Sequence, residues 1–318
     1  MAESNRAIYA ALAGNAAIAA TKFGAAGVTG SASMASEGVH SLVDTINQVL
    51  LLHGKRRARR RPDRLHPFGY GRELYFWTFV VAIMVFALGA LVSMYQGVSH
   101  ILAPEHVTQP LVNYVVLGLS MVFEGLSWRV GFREFHASLR PGQKLWEALR
   151  TGKDLSLLAV LIEDSAAILG LLIATIGLAL SQWLEMPALD GVASLLIGLL
   201  LAQAAFALGT RSRDLLVGEA ADPEMVDELL SAAGADPAIV HANGVLTSYL
   251  GPDEMIAALS AEFRDDLTTT DIELAIQRIE DALRSKYPAL RLVYVKPQTP
   301  EVWAGRIRDR MGRDDAMR

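Results

Sequence analysis

Four ionisable side chains lie in stretches otherwise suited to a bilayer, and their types and spacing fit a divalent cation. The first pair is His40-Ser-Leu-Val-Asp44. On a helix, residues i and i+4 project side by side, so one ion can touch both. The second pair is Glu163-Asp164, inside LLAVLIEDSAAILGLLIATIG, a segment with no basic partner of its own. An intramembrane carboxylate costs about 2.5–3.5 kcal/mol even on lenient insertion scales, so it is read first as functional. The alternative for His40 and Asp44 is a structural pair bridging two helices, but such bridges are worth little. Together the four form a nitrogen/oxygen ligand set that suits Zn²⁺ and leaves Mn²⁺ or Fe²⁺ open. The chain has no cysteine, which excludes thiolate ligation and disulfides.

The elements that must position these residues are membrane helices. The 318-residue chain is 52% hydrophobic and only 20% charged, with a mean hydropathy of +0.30, too apolar for an ordinary soluble protein. A spanning helix needs roughly 20 mainly apolar residues. Segments 7–30, 75–103, 110–132, 155–181 and 187–209 meet this directly. Segment 33–54 is less obvious, but Glu37, His40 and Asp44 share one helical face, with Leu42, Val43, Ile46, Val49 and Leu50 beside it. It is predicted to be a membrane helix whose polar face points into the bundle. The first apolar stretch shows no cleavage site and reads as a retained helix rather than a signal peptide.

The loop after the second helix carries Lys55, Arg56, Arg57, Arg59, Arg60, Arg61 and Arg64. The stretch after the fourth carries Arg133, Arg140, Lys144, Arg150 and Lys153, whereas the opposite loops carry no Lys or Arg. The positive-inside rule then predicts six spans with both termini cytoplasmic. The run Arg56–Arg61 reads as a topology and anionic-lipid feature, so nucleic acid is not expected as a partner. Blander readings apply elsewhere. Lys22, in the first helix with Asn15, is expected to snorkel to the outer interface. Asn47 is a candidate to orient Asp44. Glu124 is a candidate proton relay, or a partner of an arginine such as Arg129.

Composition shifts near Thr210. Asp222-Pro223 starts a helix, Val245–Leu250 and Met255–Phe263 read as strands, and Thr270 with Glu273 has capping-box spacing before another helix. Leu292–Val295 is a last strand. The expected architecture is an α-helical membrane protein: a six-helix transmembrane bundle over 1–210, then a small cytoplasmic α+β domain over 211–305. That domain has an α-β-β-α-β, ferredoxin-like order, and 306–318 form a polar tail, the partly ordered stretch beginning near Pro300. Residues 211–318 hold a single histidine, His241, so this domain is expected to dimerise by packing rather than through bound metal.

GSASMASEGVHSLVD resembles the second-helix signature of the cation diffusion facilitators. Asp63-Arg-Leu-His66-Pro-Phe-Gly-Tyr70-Gly resembles the motif that precedes their third helix. The resemblance covers nearly the whole chain, and HPFGYGRELYFW with the Glu-Asp pair resembles the branch that includes a mitochondrial zinc exporter of animals. It implies metal ligation by His40, Asp44 and Asp164. The family's usual His, four residues before that Asp, is Val160 here, so Glu163 is the natural fourth ligand and Glu37 the runner-up. In some members the loop motif binds another zinc through Asp, His and His. Asp63 and His66 match, but the third position is Tyr70, a poor ligand, and local loop structure is the alternative. The resemblance further implies a homodimer with alternating access that exports Zn²⁺ in exchange for protons, with Mn²⁺ or Fe²⁺ as alternative ions. A non-transporting membrane sensor or scaffold is the rival class. No nucleophile–base constellation or cofactor motif points to an enzyme, and the expected location is a bacterial inner (plasma) membrane.

Overall fold

A computed structural model describes residues 2–311 apart from 105, 106, 108, 138, 140–144, 146, 147 and 149–151, with side chains described from 15 to 310. Arg140, Lys144 and Arg150 of the predicted basic stretch fall outside these residues. The chain divides into two compact units, residues 1–59 with 73–213, and residues 60–72 with 214–318. The division falls at Arg213–Asp214 instead of at 210.

The first unit contains α1 (Ala2–Thr29), α2 (Ala32–Ala58), α3 (Glu73–Leu102), α4 (Pro110–Ala137), α5 (Leu155–Trp183) and the start of α6 (Ala188–Val217). Helices α3 to α6 are each long and apolar enough to cross a membrane. Their outer faces keep large apolar side chains exposed, among them Phe86, Tyr95, Leu111, Phe123 and Phe206. In a bilayer this surface meets lipid, and helix association then relies on close packing and polar contacts. Glycines supply the packing: a Cβ on Gly97 of α3 would lie 2.6 Å from the Leu195 nitrogen of α6, and one on Gly198 would lie 2.7 Å from Met94. The α3 ladder passes through a π turn at Val85–Ala90 just before this contact.

Helix α2 lacks the apolarity of its neighbours because its inner face is polar. Ser36, Glu37, His40, Ser41 and Asn47 are all buried. Its start is anchored by Asp190 in the first turn of α6, which accepts from the Ala32 N–H at 2.6 Å and the Ser33 N–H at 3.2 Å. The Ser31 and Ser33 hydroxyls donate to the same carboxylate. A carboxylate there satisfies unpaired N–H groups and complements the helix dipole. One turn on, Ser36 donates to Gln96 of α3 at 2.9 Å and lies 2.5 Å from Ser194 of α6.

The second unit holds α7 (Pro223–Gly234), β1 (Ile239–Gly251), β2 (Glu254–Phe263), α8 (Thr269–Lys286), β3 (Leu290–Pro297) and α9 (Pro300–Met311). The three-stranded sheet has the order β1-β2-β3, with β2 antiparallel to β1 and parallel to β3. Met255, Ala257, Leu259, Ala261 and Phe263 alternate onto one buried face. Leu229 of α7 and Ile279 and Leu283 of α8 are buried as well.

Two local expectations are corrected in this unit. The capping box of α8 is Thr268 with Asp271, two positions before the predicted Thr270 and Glu273: Asp271 Oδ2 accepts from the Thr268 N–H at 2.9 Å. Thr268 is the residue with extended backbone, as an N-cap requires. Residues 300–311 form a helix where a polar tail is expected. Pro300 opens it, and Trp303 lies so close over Gly244 that a Cβ there would come within 2.5 Å of the indole. The aromatic anchor seats this otherwise polar segment on the sheet.

Candidate functional site

His40 and Asp44 are one turn apart on the inner face of α2, with His40 Nδ1 3.4 Å from Asp44 Oδ1. The His40 side chain is 2% exposed and that of Asp44 13%. Neither ring nitrogen of His40, nor Asp44 Oδ1, has a hydrogen-bond partner among the described residues. Buried polar atoms are nearly always satisfied, so orphaned ones in a cluster call for an explanation.

The Glu163-Asp164 pair of α5 splits between two neighbours, because adjacent helical residues point about 100° apart. Glu163 Oε1 accepts from Asn47 Nδ2 of α2 at 3.0 Å, and Asp164 Oδ2 accepts from Ser127 Oγ of α4 at 2.8 Å. Glu163 is thus tied to α2 through Asn47, while Asp164 turns toward α4. No three His, Asp or Glu side chains converge to hold one ion among the described residues. A cavity of about 460 Å³ between α1 and α4 is lined by Asn15, Thr21, Glu124 and Ser127 among others. Ser127 thus stands between that cavity and Asp164.

Several neighbours differ from expectation. Lys22 does not snorkel: its side chain is fully buried, with Nζ 3.0 Å from Glu37 Oε2 and 2.8 Å from Ser41 Oγ. It lies on the face shared by Ala19, Ala25 and Thr29, all buried, and that spacing was readable in the chain. Glu37, the runner-up ligand, is committed through one oxygen to Lys22. Asn47 orients Glu163 rather than Asp44. Glu124 makes no ion pair with Arg129 among the described residues; it lines the cavity instead. Ser127 escaped sequence reasoning because a serine in an apolar helix carries no signal until its partner is known.

In the second unit, the Asp63 carboxylate accepts from the Leu65 N–H at 2.9 Å, the His66 N–H at 2.8 Å and the Tyr70 hydroxyl at 2.6 Å. These contacts, the Tyr70 hydrogen bond first and the His66 amide next, hold its pKa below the usual carboxylate range. The loop docks on the β1–β2 turn, where Arg72 donates to the Ser248 hydroxyl at 2.9 Å and the Tyr249 carbonyl at 3.3 Å. Gly71 is required there, since a Cβ would lie 2.3 Å from the Leu250 carbonyl oxygen. His241 is exposed on the edge strand β1, its Nδ1 3.0 Å from Asn243 Oδ1.

A bundle of apolar helices with an acidic and imidazole-bearing interior defines a class of membrane cation carriers. The cation efflux transmembrane domain matches residues 8–217. The chain is 31% identical over 260 residues to the mitochondrial proton-coupled zinc antiporter SLC30A9 of Homo sapiens, covering 80% of this chain and 46% of that protein. It is 31% identical over 250 residues to metal tolerance protein C4 of Arabidopsis thaliana, covering 78% of this chain and 55% of that protein. It is 24% identical over 290 residues to the cation-efflux pump FieF of Citrobacter koseri, covering 88% and 91%. The chain belongs to the cation efflux (cation diffusion facilitator) family of integral membrane transporters. It spans about half the length of the first two relatives.

Proposed function

We propose that this chain exports a divalent cation, Zn²⁺ foremost, in exchange for protons. The observation that carries this reading is the buried His40–Asp44 pair, its ring nitrogens without hydrogen-bond partners among the described residues, beside the Asn47-held carboxylate of Glu163. These three and Asp164 make a four-ligand set of the kind Zn²⁺ takes. The ion gathers them: Glu163 turns from Asn47, and Asp164 from Ser127. Ligands bind metal deprotonated, so loading expels protons. Proton and metal therefore compete for the same ligand atoms. The names of the antiporter relatives support zinc and proton coupling. An oxygen-rich set with Glu163 also admits Mn²⁺ or Fe²⁺, and a non-transporting sensor remains the rival that a flux measurement separates.

The basic loops support both termini on the cytoplasmic side of a bacterial inner membrane, with α1 and α2 as spans. The working unit is a homodimer. A cysteine at Met186, which is 52% exposed, should label from outside, and one at Arg60 should not. Ser31 is a poor probe because it is buried.

The deciding experiment is flux in proteoliposomes with a pH-sensitive dye inside, across Zn²⁺, Mn²⁺, Fe²⁺, Co²⁺ and Cd²⁺. Zn²⁺ should move fastest, with protons moving oppositely. Binding without flux would establish the sensor, and flux that moves no protons would leave a facilitator.

A further inference from the structure

The Lys22–Glu37 pair is an unusual investment for the interior of a membrane bundle. Both side chains are fully buried. Taking two charges out of water costs more than their attraction commonly returns, so such a pair is poor evidence of stabilisation. A pair serving only structure would have its remaining lone pairs satisfied. Here Glu37 Oε1 is buried without a hydrogen-bond partner among the described residues. The fold nevertheless makes room for it: Gly170 of α5 comes so close that a Cβ would lie 2.5 Å from that oxygen. The pair also flanks the site. Glu37 is one turn before His40, and Ser41, the second partner of Lys22, follows it directly.

We propose that Lys22 is a resident counter-cation of the transport site. Held on Glu37 and Ser41, its fixed charge opposes the entering divalent ion and keeps binding weak enough for release. Glu37 moderates that opposition, so the two residues set ion affinity in opposite directions without touching the ion. Lys22 and Glu37 are therefore positioning residues. The inference rests on the proposed ligand set of His40, Asp44, Glu163 and Asp164.

The test is Zn²⁺ calorimetry on the detergent-solubilised full chain at fixed pH, paired with proteoliposome flux. Coulomb's law at an effective dielectric of about 20 gives at least about tenfold in affinity for removing one charge this near a divalent ion. Lys22→Gln should tighten Zn²⁺ binding by that factor, lower KM and lower maximal flux, because a more tightly held ion leaves more slowly. Glu37→Gln should weaken binding by a similar factor. Lys22→Arg and the double variant Lys22→Gln/Glu37→Gln should bind near the wild-type level. A merely structural pair would weaken binding in both single variants, and that result, or no shift in either, overturns the proposal. If Lys22→Gln does not fold, the decision passes to Glu37→Gln and the double variant: recovery in the double upholds the proposal, and equal loss overturns it. Wild-type binding that Asp44→Ala leaves intact would instead refute the ligand set itself.

Discussion

His40 and Asp44 lie 3.4 Å apart in α2, and His66 and Asp63 lie 3.5 Å apart in the loop before α3. The residue types are the same and the separations nearly so. In α2 the imidazole is sealed from solvent and neither ring nitrogen has a hydrogen-bond partner among the described residues. In the loop both side chains are about half exposed, and the Asp63 oxygens are occupied by two amides and a phenol. The first arrangement leaves buried polar atoms unsatisfied, as the proposed ligand set requires, and the second is a finished turn of the Asx kind. Motif matching alone treats both as metal sites; hydrogen-bond accounting separates them.

The largest expected difference breaks or upholds this contrast directly. Asp44→Ala should reduce Zn²⁺ flux by roughly a hundredfold or more, because loss of a direct ligand exceeds the 10–100-fold typical of supporting groups. Asp63→Ala should leave flux within about twofold, as expected where no ion is held. Full transport by folded Asp44→Ala protein, or an equal loss in Asp63→Ala, would erase the distinction.

A smaller effect sharpens the membrane half. Glu163→Gln should weaken Zn²⁺ binding at least about tenfold, and Asn47→Leu should weaken it by a lesser factor, since Asn47 acts through Glu163. Calorimetry on the two variants would show it. Unchanged affinity in Glu163→Gln would pass the fourth position to Glu37 or to water.

The smallest effect belongs to the loop. The folded pKa of Asp63 lies below its unfolded value. Its contribution to loop order is therefore complete above the ordinary carboxylate value of about 3.9 and fades as pH falls through the lowered folded value. Tyr70→Phe removes the leading cause and should move that loss to higher pH. Hydrogen exchange at the Leu65 and His66 amides, followed downward from pH 7, would report it. Loss of protection already near pH 6 would show that the Asp63 carboxylate does not hold the turn.

Much of this arrangement was legible before any coordinates. Apolar length announced the helices from 75 onward. The i, i+4 pair in α2 and the acidic pair in α5 announced where charge had been buried. Strand alternation and turn residues announced the α-β-β-α-β unit. What escaped had a common cause. Lys22, Asn47 and Ser127 take their meaning from partners on other helices, and α9 is anchored on β1 where Trp303 packs over Gly244.

Residue type and helical period by themselves determined that charge lies inside an apolar bundle and on which face of α2 it lies, because both follow from local geometry and the cost of burying ions. Tertiary structure alone decided which group answers which: that Lys22 meets Glu37, that Asn47 holds Glu163, and that Asp164 faces Ser127. Those pairings depend on the rotation and separation of neighbouring helices. Glycines such as Gly97 and Gly198 let backbones approach, and no spacing along a single helix encodes such contacts.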